Sequence, residues 1–154
     1  MLENINYYNN IIKIYLNIYN MDKFKIDEDF GKEQENKAEE YIQTYFKQTT
    51  LIKLSKFNKF DFEGDTALFE VKTRRNNYNK YPSTMIGYNK ILACNKCEKD
   101  VYFIFQYLDG NYYYKYSNDE SFEIKKGGRF DRGRPESNYY CFIPIEKLIK
   151  IDLN

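Results

Sequence analysis

The segment FDFEGDTALFEVK, residues 60 to 72, constrains the fold more than any other stretch, because its side chains change character at every second position around Gly64-Asp65. Period-two alternation belongs to extended strands with two unlike faces, and Gly-Asp between two such runs suits a tight turn. A two-residue turn at Gly64-Asp65 sets Glu63 against Thr66 and Asp61 against Leu68, with Glu70 diagonal to Asp61 on the same side. Asp61, Glu70 and Lys72 then share one face, while Phe60, Phe62, Ala67, Phe69 and Val71 share the other. A four-residue loop preserves this parity and a three-residue loop breaks it. Two readings stand at this point: a charged face assembled for chemistry, or the wet side of an ordinary hairpin.

The types of residue available narrow the chemistry. The chain has no His, which removes Ser-His-Asp and Cys-His triads, His-metal nucleases and two-His zinc hydrolases together. Catalysis must then run on carboxylates, lysines and a hard metal ion. Cys94 and Cys97 form a CxxC, but a structural zinc site needs four ligands, so ordinary thiols at a helix end fit better. With Cys141 they make an odd count without framework spacing, which suits a reducing compartment. Lys and Arg number 24 against 23 Asp and Glu, so any attraction for a polyanion must come from local clustering. The 17 Tyr and 12 Phe accompany abundant Asn, Lys and Ile, the residues of AT-rich codons, and do not by themselves signal base stacking.

At 154 residues the expectation is one domain, residues 1–154. No run is apolar over the eighteen or so residues of a membrane span, and the N-terminus lacks signal-peptide features, so a soluble, intracellular protein is expected, in cytoplasm or nucleus. Ile5, Tyr8, Ile12, Tyr15, Leu16 and Tyr19 recur at helical spacing and predict a packing helix. A polar stretch, MDKFKIDEDF, separates it from a second helix starting at Gly31, with Ala38, Ile42, Tyr45 and Phe46 on one stripe. Strands are predicted at 51–57, across the hairpin, at VYFIFQYL and YYYKYS around a DGN turn, at FEIKK and at YYCFIPI. Helices are predicted from Pro82 through MIGYNKILAC and at EKLIKI, and KKGGRFDRGRPE reads as a Gly-rich basic loop. The order implies a mixed α/β domain, a central mixed sheet flanked by helices.

The order acid, spacer, Glu-x-Lys, with an acidic helix upstream, resembles the PD-(D/E)XK nuclease superfamily. Asp61 in KFDFEG and Glu70-Val71-Lys72 in LFEVK match its motif, and Glu35, four positions after Gly31, matches its upstream helical acid. The resemblance covers roughly Gly31 to Lys90 and looks closest to small resolvase-like or virus-encoded members; Phe60 stands where a Pro often precedes the strand acid. It implies a restriction-endonuclease-like fold and a divalent-metal-dependent nuclease, expected to be an endonuclease cutting DNA in processing, repair or recombination. Mg²⁺ or Mn²⁺ suits such a site, since Mg²⁺ takes oxygen ligands from few protein groups and keeps several waters. The resemblance assigns the ion to Asp61, Glu70 and the Val71 carbonyl, Glu35 to one of its waters or a second ion, and Lys72 to the attacking water. Glu63 and Asp65 belong to the turn rather than the site.

Nucleic-acid contact is expected from Arg74 and Arg75 after the Glu-x-Lys strand, and from Lys125, Lys126, Arg129, Arg132 and Arg134 in the basic loop. Lys90 is a further candidate for nucleic-acid contact, lying where family members often carry a site-facing Lys, Gln or Tyr, though a snorkelling surface lysine is the commoner reading of such a position. Related nucleases are usually dimers, which makes a homodimer compatible, but no segment reads unambiguously as an interface. Two other functions fit the sequence: a catalytically silent nuclease-like domain that binds nucleic acid, and a Tyr-rich protein-interaction module.

Overall fold

A computed structural model describes residues 2–129 and 136–153. One long helix, α1 (Leu2–Tyr45), leads into β1 (Leu51–Lys53), β2 (Phe62–Gly64) and β3 (Ala67–Thr73). A short 3-10 turn precedes β4 (Ser83–Gly87) and α2 (Tyr88–Cys94). Strands β5 (Asp100–Tyr107), β6 (Gly110–Lys115), β7 (Glu123–Arg129), β8 (Glu136–Pro144) and β9 (Ile149–Lys150) follow, with a second 3-10 turn at Ile145–Lys147. Six strands make a mixed sheet in the order β1-β2-β3-β5-β6-β9, and β4-β8-β7 make a second, antiparallel sheet. The architecture is mixed α/β and consistent with a restriction-endonuclease-like fold.

The large sheet is buried on both sides. Against one face α1 packs Ala38, Tyr41 and Ile42 over Phe62, Ala67, Phe69, Val71 and Ile104. The other face carries Val101, Phe103 and Phe105 beneath Ile86, Cys94, Cys141 and Ile143 of α2 and the small sheet. The parallel pair β3–β5 joins the halves, with Glu70 beside Phe103 and Lys72 beside Phe105. The charged face of the hairpin is therefore only partly open to solvent, and Glu70 has no solvent exposure.

Several local expectations change. The polar stretch at residues 21–30 continues α1 instead of dividing two helices. Ion pairs one turn apart, Glu28–Lys32 at 2.8 Å and Glu33–Lys37 at 2.8 Å, support it, and the first helix-breaking residue type, Gly31, is tolerated in a helix interior at a cost of about 1 kcal/mol. The expected packing helix packs on nothing at Ile12, Tyr15, Leu16 and Tyr19, all more than half exposed; the side chains of Ile5 and Tyr8 lie outside the described residues. The strand at 51–57 stops at Lys53. Residues Ser83–Gly87 form β4 rather than helix, because β8 offers them backbone partners from Ser83↔Pro144 to Gly87↔Tyr140. The basic loop is strand as far as Arg129, and the predicted C-terminal helix is the 3-10 turn plus β9.

The hairpin register also shifts. Phe62 pairs with Phe69 and Glu63 with Leu68, two residues from the register of a Gly64-Asp65 turn, so the parity of faces survives. Gly64, now within β2, has no room for a side chain, since a Cβ there would meet Gln48 Oε1 at 2.2 Å, and the same buried oxygen accepts the Thr66 N–H at 3.2 Å. Asp65 clamps the turn to the end of α1 by accepting the Thr49 and Thr50 N–H groups at 2.6 and 3.1 Å. Phe60 leaves the face assigned to it: it packs with Phe103 and Phe105, whereas Phe62 packs with α1. Residues two apart on a regular strand share a face, so the chain turns over at Asp61.

Candidate active site

Asp61 sits at that turn-over point. Its N–H donates to the Phe69 carbonyl at 2.9 Å and its carbonyl accepts from Leu54 N–H at 2.8 Å. Its carboxylate stands in for a backbone acceptor, with Oδ2 taking the Val71 N–H at 2.7 Å. One acid is thereby fixed against the peptide that links the other acid, Glu70, to Val71. A broken strand does this where a regular ladder could not, because only an irregular residue can turn its side chain onto its neighbour's backbone.

Glu70 reaches the same place from β3. Lys72 Nζ approaches Oε1 at 2.5 Å and Lys90 Nζ approaches Oε2 at 2.8 Å, so both oxygens carry a cation. Burial raises the pKa of the Glu70 carboxyl, the two lysines pull it down, and the charge of Asp61 pushes it up again. Lys90, on α2, also donates to the Lys59 carbonyl beside Asp61. With 19% of its side chain exposed it points into the site, and the snorkelling alternative does not describe it. Alternation along β3 placed Lys72 correctly, but only the packing of α2 over the sheet shows Lys90 at the carboxylate.

A cleft of about 580 Å³ opens over these groups and is lined by Glu35, Asp61, Glu70, Lys72 and Lys90. Glu35 borders it from α1, with its carboxylate 3.3 Å from Lys53 Nζ. Lys32, Lys53 and Lys56 line the same cleft, lysines that sequence spacing did not single out. Among the described residues no three His, Cys, Asp or Glu side chains converge tightly enough to form a metal cage. The donor set still fits a hard divalent cation that needs few protein ligands, since two carboxylates bracket one peptide and the Asp61 charge adds to the cost of ionising Glu70.

The remaining basic candidates stand elsewhere. Arg74 reaches across to β4, donating from Nε to Thr84 Oγ1 at 3.3 Å and from Nη2 to the Met85 carbonyl, with its guanidinium over Phe105. Arg75 lies over Phe30 at 4.6 Å. Lys125 pairs with Glu123 at 2.9 Å and caps the Phe142 ring, and Lys126 is exposed on β7. Arg132 and Arg134, and the side chain of Arg129, lie outside the described residues. The thiols of Cys94 and Cys97 donate back to the Lys90 and Ala93 carbonyls at 3.1 and 3.3 Å, and all three cysteines are free. No helix among the described residues is long and apolar enough to cross a membrane.

A mixed sheet whose strand acid and Glu-x-Lys meet in one cleft defines a nuclease of the PD-(D/E)XK class. The sequence model of the family described as "Phage putative PDDEXK endonuclease" matches residues 22–154, and the chain belongs to that phage-encoded family of phosphodiester hydrolases. No curated protein and no solved structure matches the chain.

Proposed function

We propose that this chain is a divalent-metal-dependent DNA endonuclease that acts in DNA processing, repair or recombination inside the host cell. The observation that carries the reading is the clamp of Asp61 on the Glu70–Val71 peptide, with Lys72 and Lys90 on the Glu70 carboxylate. Asp61, Glu70 and the Val71 carbonyl would hold Mg²⁺ or Mn²⁺, which supplies charge stabilisation for the phosphate oxygens and lowers the pKa of the attacking water. Glu35 would join only by releasing Lys53, and so serves best through a water or a second ion.

Lys72 orients the attacking water and offsets the charge that develops on the phosphate. Lys90 holds Glu70 against Lys59 and keeps the carboxylate in place between turnovers. Lys32, Lys53 and Lys56 offer phosphate contacts along the cleft, and the basic end of the β7–β8 hairpin, with Lys125, Lys126, Arg129, Arg132 and Arg134, adds affinity that is blind to sequence. Two copies would associate through the exposed stretch of α1 from Ile12 to Ile26.

Incubation with supercoiled plasmid, linear duplex and a branched junction in Mg²⁺ and in Mn²⁺ tests the reading. Nicking or linearisation of at least one substrate, abolished by EDTA, is the expected result. Wild-type protein that cuts none of them in either ion would leave a silent nucleic-acid-binding domain instead.

A further inference from the structure

The small sheet turns one face inward and one outward. Ile86, Cys141 and Ile143 point into the core. Register partners share a face, so Met85, Phe142 and Glu123, and Gly87, Tyr140 and Lys125, lie together on the opposite side, with Lys125 paired to Glu123 at 2.9 Å. Phe142 and Tyr140 are half-buried and Met85 is exposed. Side chains two apart on a strand stand about 7 Å from each other, a span that one unstacked nucleotide bridges. Gly127 makes room for the Tyr140 ring, since a Cβ there would meet it at 3.1 Å. Lys125 hovers 5.7 Å from the centre of the Phe142 ring.

This face connects two recesses. At the Tyr140 end a hollow of about 450 Å³ shares Lys72 and Lys90 with the catalytic cleft, so the two are continuous. At the Phe142 end a hollow of about 360 Å³ is walled by Tyr78, Tyr81, Tyr107 and Met85, with Asn76 and Ser83 among its polar groups. The Tyr107 hydroxyl is buried there near Thr84 but makes no hydrogen bond of normal geometry.

We infer that the substrate carries a single-stranded segment next to the bond that is cut, its bases stacked on Tyr140 and Phe142 and one base held in the Tyr78–Tyr81–Tyr107 recess. The inference rests on the nuclease reading and names the form of nucleic acid it acts on. Aromatic faces interleaved with a lysine bind any base by stacking while the cation meets the backbone. A duplex gains nothing from them, because its bases are already stacked on each other. Of the polymers that could lie on an aromatic face bordering the lysines of a nuclease cleft, unpaired nucleic acid is the one whose flat bases match the rings of Tyr140 and Phe142 and the Tyr-walled recess.

The test is equilibrium binding to the full chain in Ca²⁺ or EDTA, using a single-stranded oligonucleotide with one 2-aminopurine and the blunt duplex of the same sequence. Tighter binding of the single strand, with 2-aminopurine emission quenched by stacking, is expected. Tyr140→Ala should weaken the single strand by roughly 5–150-fold, the worth of one stack, and leave the duplex within twofold. Tyr140→Phe should restore the loss, and Tyr81→Ser, at an exposed position of the recess, should show the same loss on the single strand alone. Equal affinity for both forms, or an equal loss on both in Tyr140→Ala, overturns the inference. The plasmid assay separates the two readings. Cleavage without single-strand preference sinks this inference and leaves the nuclease standing, whereas single-strand preference without cleavage of any substrate sinks the nuclease and supports the stacking face.

Discussion

Glu70 is the residue on which stability and chemistry pull hardest against each other. Its carboxyl is fully buried and desolvation raises its pKa, so the folded chain binds that proton more tightly than the unfolded chain does. The stability this adds is complete below the ordinary carboxylate pKa and is lost as pH rises through the raised folded value. In metal-free buffer at neutral pH, Glu70→Gln should therefore melt at or above the wild-type temperature, and the gap should close as the pH is lowered. Added Mn²⁺ should reverse the order. At a hundredfold excess over Kd a ligand contributes about 2.7 kcal/mol, roughly 5–10 °C for a chain of this size, and neither Glu70→Gln nor Asp61→Asn should show it. Thermal melts with and without Mn²⁺ read both effects; a wild type that ignores Mn²⁺ removes the ion from this site. Lys72 answers to a different assay. Its ammonium is partly exposed at the cleft and is not a ligand, so Lys72→Ala should lower cleavage by about 10²–10⁴-fold while the Mn²⁺-induced shift persists. A variant that cuts at the wild-type rate takes Lys72 out of the mechanism.

At the scale of elements, α1 shows how a sequence can disguise a continuous helix. Gly31 and the acids around it look like a start signal, yet the chain passes through as helix, and an added Cβ at Gly31 meets nothing within 4 Å. Gly31→Ala should raise stability by about 1 kcal/mol, a shift of roughly 2–4 °C, because it removes backbone freedom from the unfolded chain without a steric cost. A lowered melting temperature would mean the helix is broken there. The same contrast between local signal and distant partner runs through the fold. Alternation in the hairpin revealed which side chains share a face, since parity survives a shift of two residues, and so Asp61, Glu70 and Lys72 were legible. Phe60 was not, because its departure to the other core depends on Phe103 and Phe105, more than forty positions away. Ser83–Gly87 is a short mixed run, STMIG, that suits helix or strand equally, and only pairing with β8 decides it. Lys90 belongs to the same group, since nothing local distinguishes a lysine that caps Glu70 from one that trails into water.

The whole molecule is lopsided. From Ile12 to Asp29 every α1 side chain that the structure describes is exposed, so the helix stands clear of the body over these 18 residues, about 27 Å at 1.5 Å each. Asn recurs along its first twenty residues and helices of that kind draw their stability from packing, which the described side chains from Ile12 to Asp29 do not find within their own chain. Ile12, Tyr15, Leu16 and Tyr19 form one stripe, and Ile5, Ile12, Tyr19 and Ile26 repeat at the seven-residue spacing of helices that wrap around each other. The first twenty residues hold a single acid and a single base, Glu3 and Lys13, so a second copy would bring the same apolar stripe with little repulsion. Most of that stripe precedes residue 22, where the family match begins, which sets it apart from the nuclease body. Sedimentation equilibrium should find a mass that rises with concentration from 18.7 kDa toward about twice that value, with helical ellipticity lost on dilution. Replacing Ile12 and Leu16 by Asp should hold the chain as a monomer without touching the cleft. A wild type that stays monomeric at every concentration would leave the exposed stripe for a different partner and end the dimer proposal.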